Sequence, residues 1–186
     1  MAIRIGFIGG GNVSAGHLNA LSQIDGVQCV AMCELDEDLL EDRCEEYGLK
    51  ACKDHEEVIA ESDAVFVVTP PTFRLEPVEA AAKAGVHVFS EKPMALTLEE
   101  ADAMQAACDR AGVVLQIGFN FRYDPLMRKA LELKADGTLG EVVYCWDRQV
   151  IRRADTAWAA KAGARDAWRL STAASGGRIF EFCSHK

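Results

Sequence analysis

Three small residues near the amino terminus are spaced as in a phosphate-binding turn. Gly9, Gly11 and Ser14 directly follow the first apolar run of the chain and open a helical stretch. Glycine at the first position permits a tight turn, glycine at the second lets a pyrophosphate approach the main chain, and Ser14 replaces a third glycine where helix and strand pack closely. The N–H groups at the helix start, at Asn12 and Val13, point toward the phosphates. The segment therefore predicts a dinucleotide site.

An acidic residue, Glu34, ends the next apolar run. A carboxylate about 20 residues beyond the glycines accepts hydrogen bonds from the adenosine ribose and repels a 2′-phosphate. Leu35 beside it supplies no cation, so the sequence favours NAD over NADP. The alternative is that the turn and the acid bind no ligand. It is disfavoured because the glycine turn lies between a strand and a helix and the acid ends the following strand.

Short apolar runs alternate with helical stretches and position these residues. The runs cover residues 3–8, 29–33, 64–68, 86–89 and 113–117. Such runs suit strands buried on both faces of a parallel sheet. One intervening helix is opened by a capping box of Thr97 and Glu100 and closed by Gly112. The alternation predicts an α/β fold, a Rossmann-type doubly wound parallel sheet, over residues 1–120.

The pattern changes after residue 120, and we expect the beginning of a second α/β domain over residues 121–186. A helix is predicted to begin at Pro125. Residues 141–151 are predicted as one long strand, and residues 152–177 as loop and short helix.

The charge balance excludes two classes of partner. The 186 residues include 29 acidic and 20 basic side chains, a net charge of -9, which repels nucleic acid phosphates and anionic membrane surfaces. No apolar run approaches the roughly 20 residues of a membrane-spanning helix, and the amino terminus lacks the layout of a signal peptide. We therefore expect no nucleic acid partner and no membrane association.

The seven cysteines are predicted to be reduced core residues of a cytoplasmic protein. Their number is odd and they form no C-x-x-C pair. The alternative is a metal cluster or a nucleophile. Cys29 and Cys33 are spaced to share one face of a strand, and buried thiols are the favoured interpretation. No metal site is expected.

Three further stretches accompany the glycine turn. They are Thr69 and Pro70 after the third apolar run, Glu91, Lys92 and Pro93 after the fourth, and GGRIFEFCSH near the carboxyl end. With them, nearly the whole chain resembles the glucose-fructose oxidoreductase and inositol dehydrogenase family. The resemblance implies a Rossmann domain followed by an α/β domain on a large open sheet. It also implies oxidation or reduction of sugars, inositols and similar compounds, with Thr69, Pro70 and Glu91 among the cofactor contacts.

The resemblance further implies three catalytic residues. Lys92 is expected beside the nicotinamide, and Glu181 and His185 on a helix facing it. A spacing of four places the last two on one helical face, where the carboxylate orients the imidazole and favours its protonated form. His185 is then suited to accept a hydroxyl proton. Taken alone, Lys92 is equally a solvated loop charge, and Glu181 with His185 a surface pair.

Several residues depart from the family pattern. Ser14 stands at the third glycine, and Glu181 replaces the usual aspartate and reaches one methylene further. Arg74 stands where the segment after Thr69 and Pro70 commonly ends in histidine. It either binds an anionic substrate or covers a helix start, and we favour the second. Arg122 matches a recurrent family arginine, and we expect a hydrogen-bond hub there at the domain junction.

The chain is short for this family, whose members continue well past the histidine helix. We expect a fragment, or a short form that completes its sheet by association, and a homo-oligomer for the full-length form. The leading hypothesis is an NAD-dependent oxidoreductase acting on a polyhydroxylated small molecule, with negligible turnover by these 186 residues alone. The rival is a nucleotide-binding module without turnover. Lys92 and His185 would have no task in a nucleotide-sugar or methyl-donor binder.

Overall fold

Six parallel strands form one sheet in the computed structural model, which describes residues 2–146, 168 and 171–177. In chain order they are β1 (Ile3–Ile8), β2 (Val27–Cys33), β3 (Lys50–Ala51), β4 (Ala64–Val67), β5 (His87–Ser90) and β6 (Leu115–Ile117). In space the order is β3-β2-β1-β4-β5-β6, so the chain changes its direction of travel across the sheet between β3 and β4. The predicted Rossmann-type sheet is confirmed. Strand β3 was not predicted, because two residues carry no periodic signal.

Helices connect the strands, and side chains cap most of their amino ends. Their bounds are α1 (Asn12–Leu21), α2 (Glu37–Tyr47), α3 (His55–Ala60), α4 (Leu75–Lys83), α5 (Leu98–Ala111) and α6 (Pro125–Ala135). First-turn amides donate to the side chains of Asp36, Asp54, Thr97 and Asp124. The capping box prediction is right for Thr97, whereas Glu100 accepts from the amide of Leu96. No helix in the described part of the chain is long and apolar enough to span a bilayer.

Apolar side chains fill both faces of the sheet. On one face, Phe7 and Met32 pack with Leu18 of α1 and with side chains of α2. On the other face, the strands pack against α3, α4 and α5, where Val78 and Met104 are fully buried. Helices therefore cover the sheet on both sides, as a doubly wound fold requires.

An irregularity in β2 separates two cysteines that were expected on one face. The register of β2 on β1 shifts between Ile5 and Gly6, which leaves one extra residue in β2. Such a residue inverts the alternation of side chains. Cys29 consequently packs on the α1 and α2 side and Cys33 on the opposite side, so the expectation is wrong. Burial raises the pKa of the Cys33 thiol to about 12, and this thiol is a protonated core group at neutral pH.

The chain after β6 follows the prediction only in part. Helix α6 begins at Pro125 as expected, and a short helix, Thr172–Ser175, lies in the segment predicted as loop and short helix. Residues 141–146 do not form the predicted strand, and the remainder of that prediction lies outside the described residues. Val143 is 89% exposed. A strand needs a neighbour for its main-chain hydrogen bonds, and no described strand pairs with this segment.

Strand β1 packs closely on α3 at Gly6. A Cβ there would overlap the hydroxyl of Ser62 and the side chain of Val58. We expect Gly6→Ala to lower the free energy of unfolding by about 1–3 kcal/mol, measured by urea unfolding. Gly16→Ala in α1 is the matched control, since a Cβ there meets no atom within 4 Å. It should raise stability by roughly 0.5–1 kcal/mol through helix propensity. Equal effects of the two substitutions would contradict the close packing.

Candidate functional site

The predicted cofactor-binding residues and Lys92 lie along one edge of the sheet, at the carboxyl ends of its strands. Because neighbouring strands are parallel, the carboxyl ends of β1, β2, β4 and β5 meet there, and such crevices bind ligands where the strand order reverses. The residues at this edge are Gly9, Gly11, Asn12, Val13, Ser14, Glu34, Thr69, Pro70, Glu91 and Lys92. Glu181 and His185 lie outside the described residues.

The glycine turn leaves open space in front of helix α1. Gly9 has a φ of +102°, which favours glycine, and its N–H donates to the carbonyl of Cys33 at 2.9 Å. A Cβ on Gly11 would meet no atom within 4 Å. No side chain caps α1, and the amides of Asn12 and Val13 in its first turn lack acceptors inside the helix. Such a helix end can hold an anionic group.

Ser14 connects the first turn of α1 to the glycine turn. Its side chain is fully buried, and its Oγ donates to the carbonyl of Gly9 at 2.6 Å. A glycine at this position has no group that makes this bond. The departure from the usual glycine therefore adds an attachment to the turn and keeps the close packing of helix and strand.

The carboxylate of Glu34 holds the glycine turn from the end of β2. Its Oε2 accepts from the N–H of Gly10 at 2.7 Å, and its Oε1 accepts from the amides of Leu35 at 2.7 Å and Asp36 at 3.2 Å. Each carboxylate oxygen has two lone pairs, so Oε2 retains one for a further donor. The arrangement can hold a ribose hydroxyl.

A cation that was not predicted lies beside the glycine turn. The Nε of Arg43, on α2, donates to the carbonyl of Gly10 at 3.3 Å, and its Nη1 donates to Glu46 at 2.9 Å. The prediction considered only Leu35 as the neighbour of Glu34. The sequence carries one signal for this position. Arg43 follows the buried Leu39 by four residues, so the two side chains lie on the same face of α2.

Glu91 joins two elements at the end of β5. Its Oε1 pairs with His17 Nε2 at 2.9 Å, and its Oε2 accepts from the N–H of Lys92 at 3.0 Å. Burial alone would raise the pKa of Glu91. The hydrogen bond and charge of His17, the N–H of Lys92 and the charge of Arg74 outweigh burial and hold the pKa below its usual value. His17 was not predicted as a site residue, since its partner is 74 positions away.

Arg74 is a buried clamp between two loops. The residue is 2% exposed, and its Nε and Nη2 donate to the carbonyl of Thr69 at 2.8 Å and 2.6 Å. Its Nη1 donates to the carbonyls of Glu91 and Pro93. The favoured expectation, that Arg74 covers a helix start, is therefore incomplete: the residue precedes α4, but its guanidinium binds main chain. An anionic substrate does not reach a side chain buried in this way.

The other predicted residues at the edge have simpler surroundings. Lys92 is half-buried, and Thr69 Oγ1 donates to the carbonyl of Phe73 at 3.1 Å. Arg122 is exposed with its guanidinium 5.7 Å from the centre of the Phe119 ring. The described contact of Arg122 is thus cation–π stacking, which differs from the hydrogen-bond hub expected there.

A pocket of about 240 Å³ opens beside the pair of Glu91 and His17. Its walls come from the ends of β5 and β6 and from the turn Asn120–Tyr123 that follows. The pair therefore borders an open space next to the loop that carries Lys92.

The sequence is similar to members of a known protein family. The sequence profile described as "Oxidoreductase family, NAD-binding Rossmann fold" matches residues 3–119. D-apiose dehydrogenase from Paraburkholderia graminis is 38% identical over 151 residues, which are 79% of this chain and 40% of that protein. Myo-inositol 2-dehydrogenase from Thermotoga maritima is 39% identical over 142 residues, which are 75% of this chain and 42% of that protein. The chain therefore spans about two fifths of the length of these curated relatives.

Two solved structures share the fold and contain bound molecules. Scyllo-inositol dehydrogenase from Lactobacillus casei, with NAD(H) and scyllo-inositol, has a TM-score of 0.72 and 31% identity, covering 76% of this chain and 43% of that one. The WlbA dehydrogenase from Bordetella pertussis, in complex with NADH and UDP-GlcNAcA, has a TM-score of 0.84 and 26% identity. It covers 99% of this chain and 53% of that one.

The clamp formed by Arg74 predicts a large loss of stability on its removal. Arg74→Met keeps an apolar stem but leaves three carbonyl groups without their donor, and we expect the free energy of unfolding to fall by about 2–4 kcal/mol. Arg74→Lys should recover only part of this, because an ammonium lacks the planar fork. Arg110→Met on the exposed side of α5 is the matched control and should stay within about 0.5 kcal/mol. Urea unfolding that shows equal stability for the Arg74 and Arg110 variants would contradict the clamp.

Proposed function

The chain belongs to the oxidoreductase family with an NAD-binding Rossmann fold, and on that premise we propose that the whole protein is an NAD-dependent dehydrogenase of a sugar, inositol or related polyol. One observation carries the proposal. The open glycine turn, the carboxylate of Glu34 and the loop of Glu91 and Lys92 lie at one edge of the sheet. NAD, when bound, supplies the hydride acceptor for oxidation of a carbinol carbon.

The residues present fit a dinucleotide. Gly11 leaves open space where a Cβ would stand, and the uncapped start of α1 offers the amides of Asn12 and Val13 to the pyrophosphate. Gly9 and Ser14 maintain the shape of the turn. In this proposal Glu34 accepts from the adenosine ribose, and Thr69, Pro70 and Glu91 line the nicotinamide end.

Three side chains carry the proposed chemistry. Lys92 donates a hydrogen bond to the reacting oxygen and stabilises the negative charge that develops on it. His185 accepts the hydroxyl proton, and Glu181 orients His185 or holds a neighbouring hydroxyl. The roles of Glu181 and His185 rest on the family resemblance, since both residues lie outside the described part of the chain.

The comparisons support a polyhydroxylated substrate. One relative is named for D-apiose, and the two similar structures contain scyllo-inositol and UDP-GlcNAcA.

The net charge of -9 disfavours nucleic acid as a partner. The described cysteines are free thiols, which supports a cytoplasmic location, because thiols stay reduced there. Exposed apolar side chains on α6, such as Leu126 and Leu131, support association with further protein surface, and we propose a homo-oligomer.

The charge of Glu34 predicts a preference for NAD over NADP. Glu34→Gln keeps an oxygen acceptor for the amide of Gly10 but removes the repulsion of a 2′-phosphate. We expect the dissociation constant for NADP, divided by that for NAD, to fall by about tenfold or more, as measured by calorimetry. Arg43 is the nearby cation that would then attract the phosphate, so adding Arg43→Gln should reverse most of this gain.

Glu37→Gln is the matched control for the preference. It removes a charge from the first turn of α2, where Glu37 is exposed, and should leave the ratio unchanged. Equal or tighter binding of NADP by the unmodified protein would show that Glu34 does not select the cofactor.

The assignment of Lys92 predicts a selective loss of turnover. A panel of sugars and inositols is first screened for substrate-dependent NADH formation by the whole protein. With the best substrate, Lys92→Met should lower kcat by roughly 10²- to 10³-fold, the effect of removing one hydrogen bond to a developing oxyanion. The dissociation constant for NADH should change little, because the ammonium is not assigned to the pyrophosphate.

Lys53→Met is the control for loss of a positive charge, because Lys53 is exposed and distant from Lys92 in the sequence. Near-normal kcat in Lys92→Met would remove Lys92 from the mechanism. NADH binding without turnover of any panel member would favour a nucleotide-binding module over the proposed enzyme.

A further inference from the structure

We propose that His17 is a positioning residue for Lys92, which it holds in place through the carboxylate of Glu91. The inference rests on the proposed function, since it takes Lys92 to face the reacting oxygen. It adds a role for a residue of α1, the helix whose first turn is proposed to bind the pyrophosphate.

The carboxylate of Glu91 bridges His17 and the main chain at Lys92. One oxygen pairs with His17 Nε2 at 2.9 Å, and the other accepts from the N–H of Lys92 at 3.0 Å. Arg74 holds the same loop through the carbonyls of Glu91 and Pro93. The main chain around Lys92 therefore has attachments on both sides, and the side chain of His17 supplies the one from α1.

Two phenylalanine rings fix the orientation of the imidazole. Phe66 and Phe89 are stacked with their centroids 4.4 Å apart, and His17 meets both edge-on at 5.4 Å and 5.2 Å, with interplanar angles of 77° and 71°. Edge-to-face contacts of this kind are favourable and directional. They restrict the ring to an orientation in which Nε2 reaches Glu91, so the pair is built into the core of the site rather than formed by two mobile surface side chains.

The end of β6 leaves room for the carboxylate. Gly118 is buried, and a Cβ added to it would lie 3.1 Å from Glu91 Oε1 and 3.1 Å from Phe89 Cζ. These distances are short enough to displace the carboxylate by a few tenths of an ångström. Gly118→Ala therefore perturbs the same bridge from another element without changing His17.

This geometry connects the proposed cofactor site to the lysine through α1, His17 and Glu91. Helix α1 carries the proposed pyrophosphate site at its amino end and His17 further along. A small misplacement of a catalytic group costs far more in turnover than in binding. Loss of the pair should thus reduce kcat while the cofactor, held by the glycine turn and Glu34, continues to bind.

The test uses the whole protein with His17→Ala, His17→Gln and Gly118→Ala. Glutamine retains an N–H donor for Glu91 and is the conservative variant. Asn19→Ala on the same helix is the matched control, because Asn19 is exposed and its side chain makes only a 3.3 Å contact with the Tyr47 hydroxyl among the described bonds. The measurements are kcat and KM with the best panel substrate, the dissociation constant for NADH from nicotinamide fluorescence, and thermal unfolding.

A spectroscopic measurement locates Lys92 without turnover. Reductive methylation with ¹³C-formaldehyde labels the lysines, and the signal of Lys92 is assigned by its loss in Lys92→Arg. We expect His17→Ala to lower kcat by roughly 10- to 10²-fold, to change NADH affinity less than about threefold, and to move the Lys92 signal toward those of exposed lysines. His17→Gln should recover part of both effects, Gly118→Ala should change them in the same direction as His17→Ala, and Asn19→Ala should change neither.

Two results would overturn the proposal. One is an unchanged Lys92 signal with kcat within about twofold of the unmodified protein in both His17→Ala and Gly118→Ala. The other is a loss of kcat accompanied by a similar fold loss of NADH affinity and by a lower unfolding temperature. That result would assign His17 a purely structural role. Failure of the proposed function gives a different result. Normal kcat in Lys92→Met would reject the catalytic role of the lysine. The ¹³C signal of Lys92 in the His17 variants would still report whether His17 positions the lysine.

Discussion

Side chains bound to the main chain fix the loops at the carboxyl edge of the sheet, and the candidate site depends on these bonds. Glu34 holds the amide of Gly10, Glu91 holds the amide of Lys92, and Arg74 holds carbonyls of two neighbouring loops. Loops usually leave such groups to water. Because the strands are parallel, the three attachments lie along one edge, and each fixes a segment that is proposed to contact the cofactor or the substrate.

The carboxylates of Glu34 and Glu91 each bind main-chain amides and also have an acceptor site for a second partner. Glu34 binds three amides and retains one lone pair, which we propose accepts from a ribose hydroxyl, whereas Glu91 binds one amide and His17. Hydrogen bonds to an ionised group are roughly twice as strong as neutral ones, and the lowered pKa of Glu91 keeps it ionised. A site held by such bonds is already arranged before substrate arrives, so little reorganisation remains for the reaction step.

Much of the fold was predictable because its signals are local. The glycine turn, the cap at Thr97 and the left-handed Gly112 depend on residues a few positions apart. The bonds of His17 to Glu91, of Arg43 to Gly10 and of Arg74 to Glu91 were not predictable in this way, because they join residues 74, 33 and 17 positions apart. The irregularity in β2 and the absent strand at residues 141–146 likewise depend on neighbouring strands, which no short stretch of sequence specifies.

Arg74 shows how a departure from a family pattern changes the physics of a site. A guanidinium has five N–H donors in a fixed fork, whereas an imidazole has at most two. Only the former can serve the carbonyls of Thr69, Glu91 and Pro93 together. The loops after β4 and β5 consequently share one anchor. Because its guanidinium is buried and bonded to main-chain carbonyls, Arg74 serves these loops as a structural anchor.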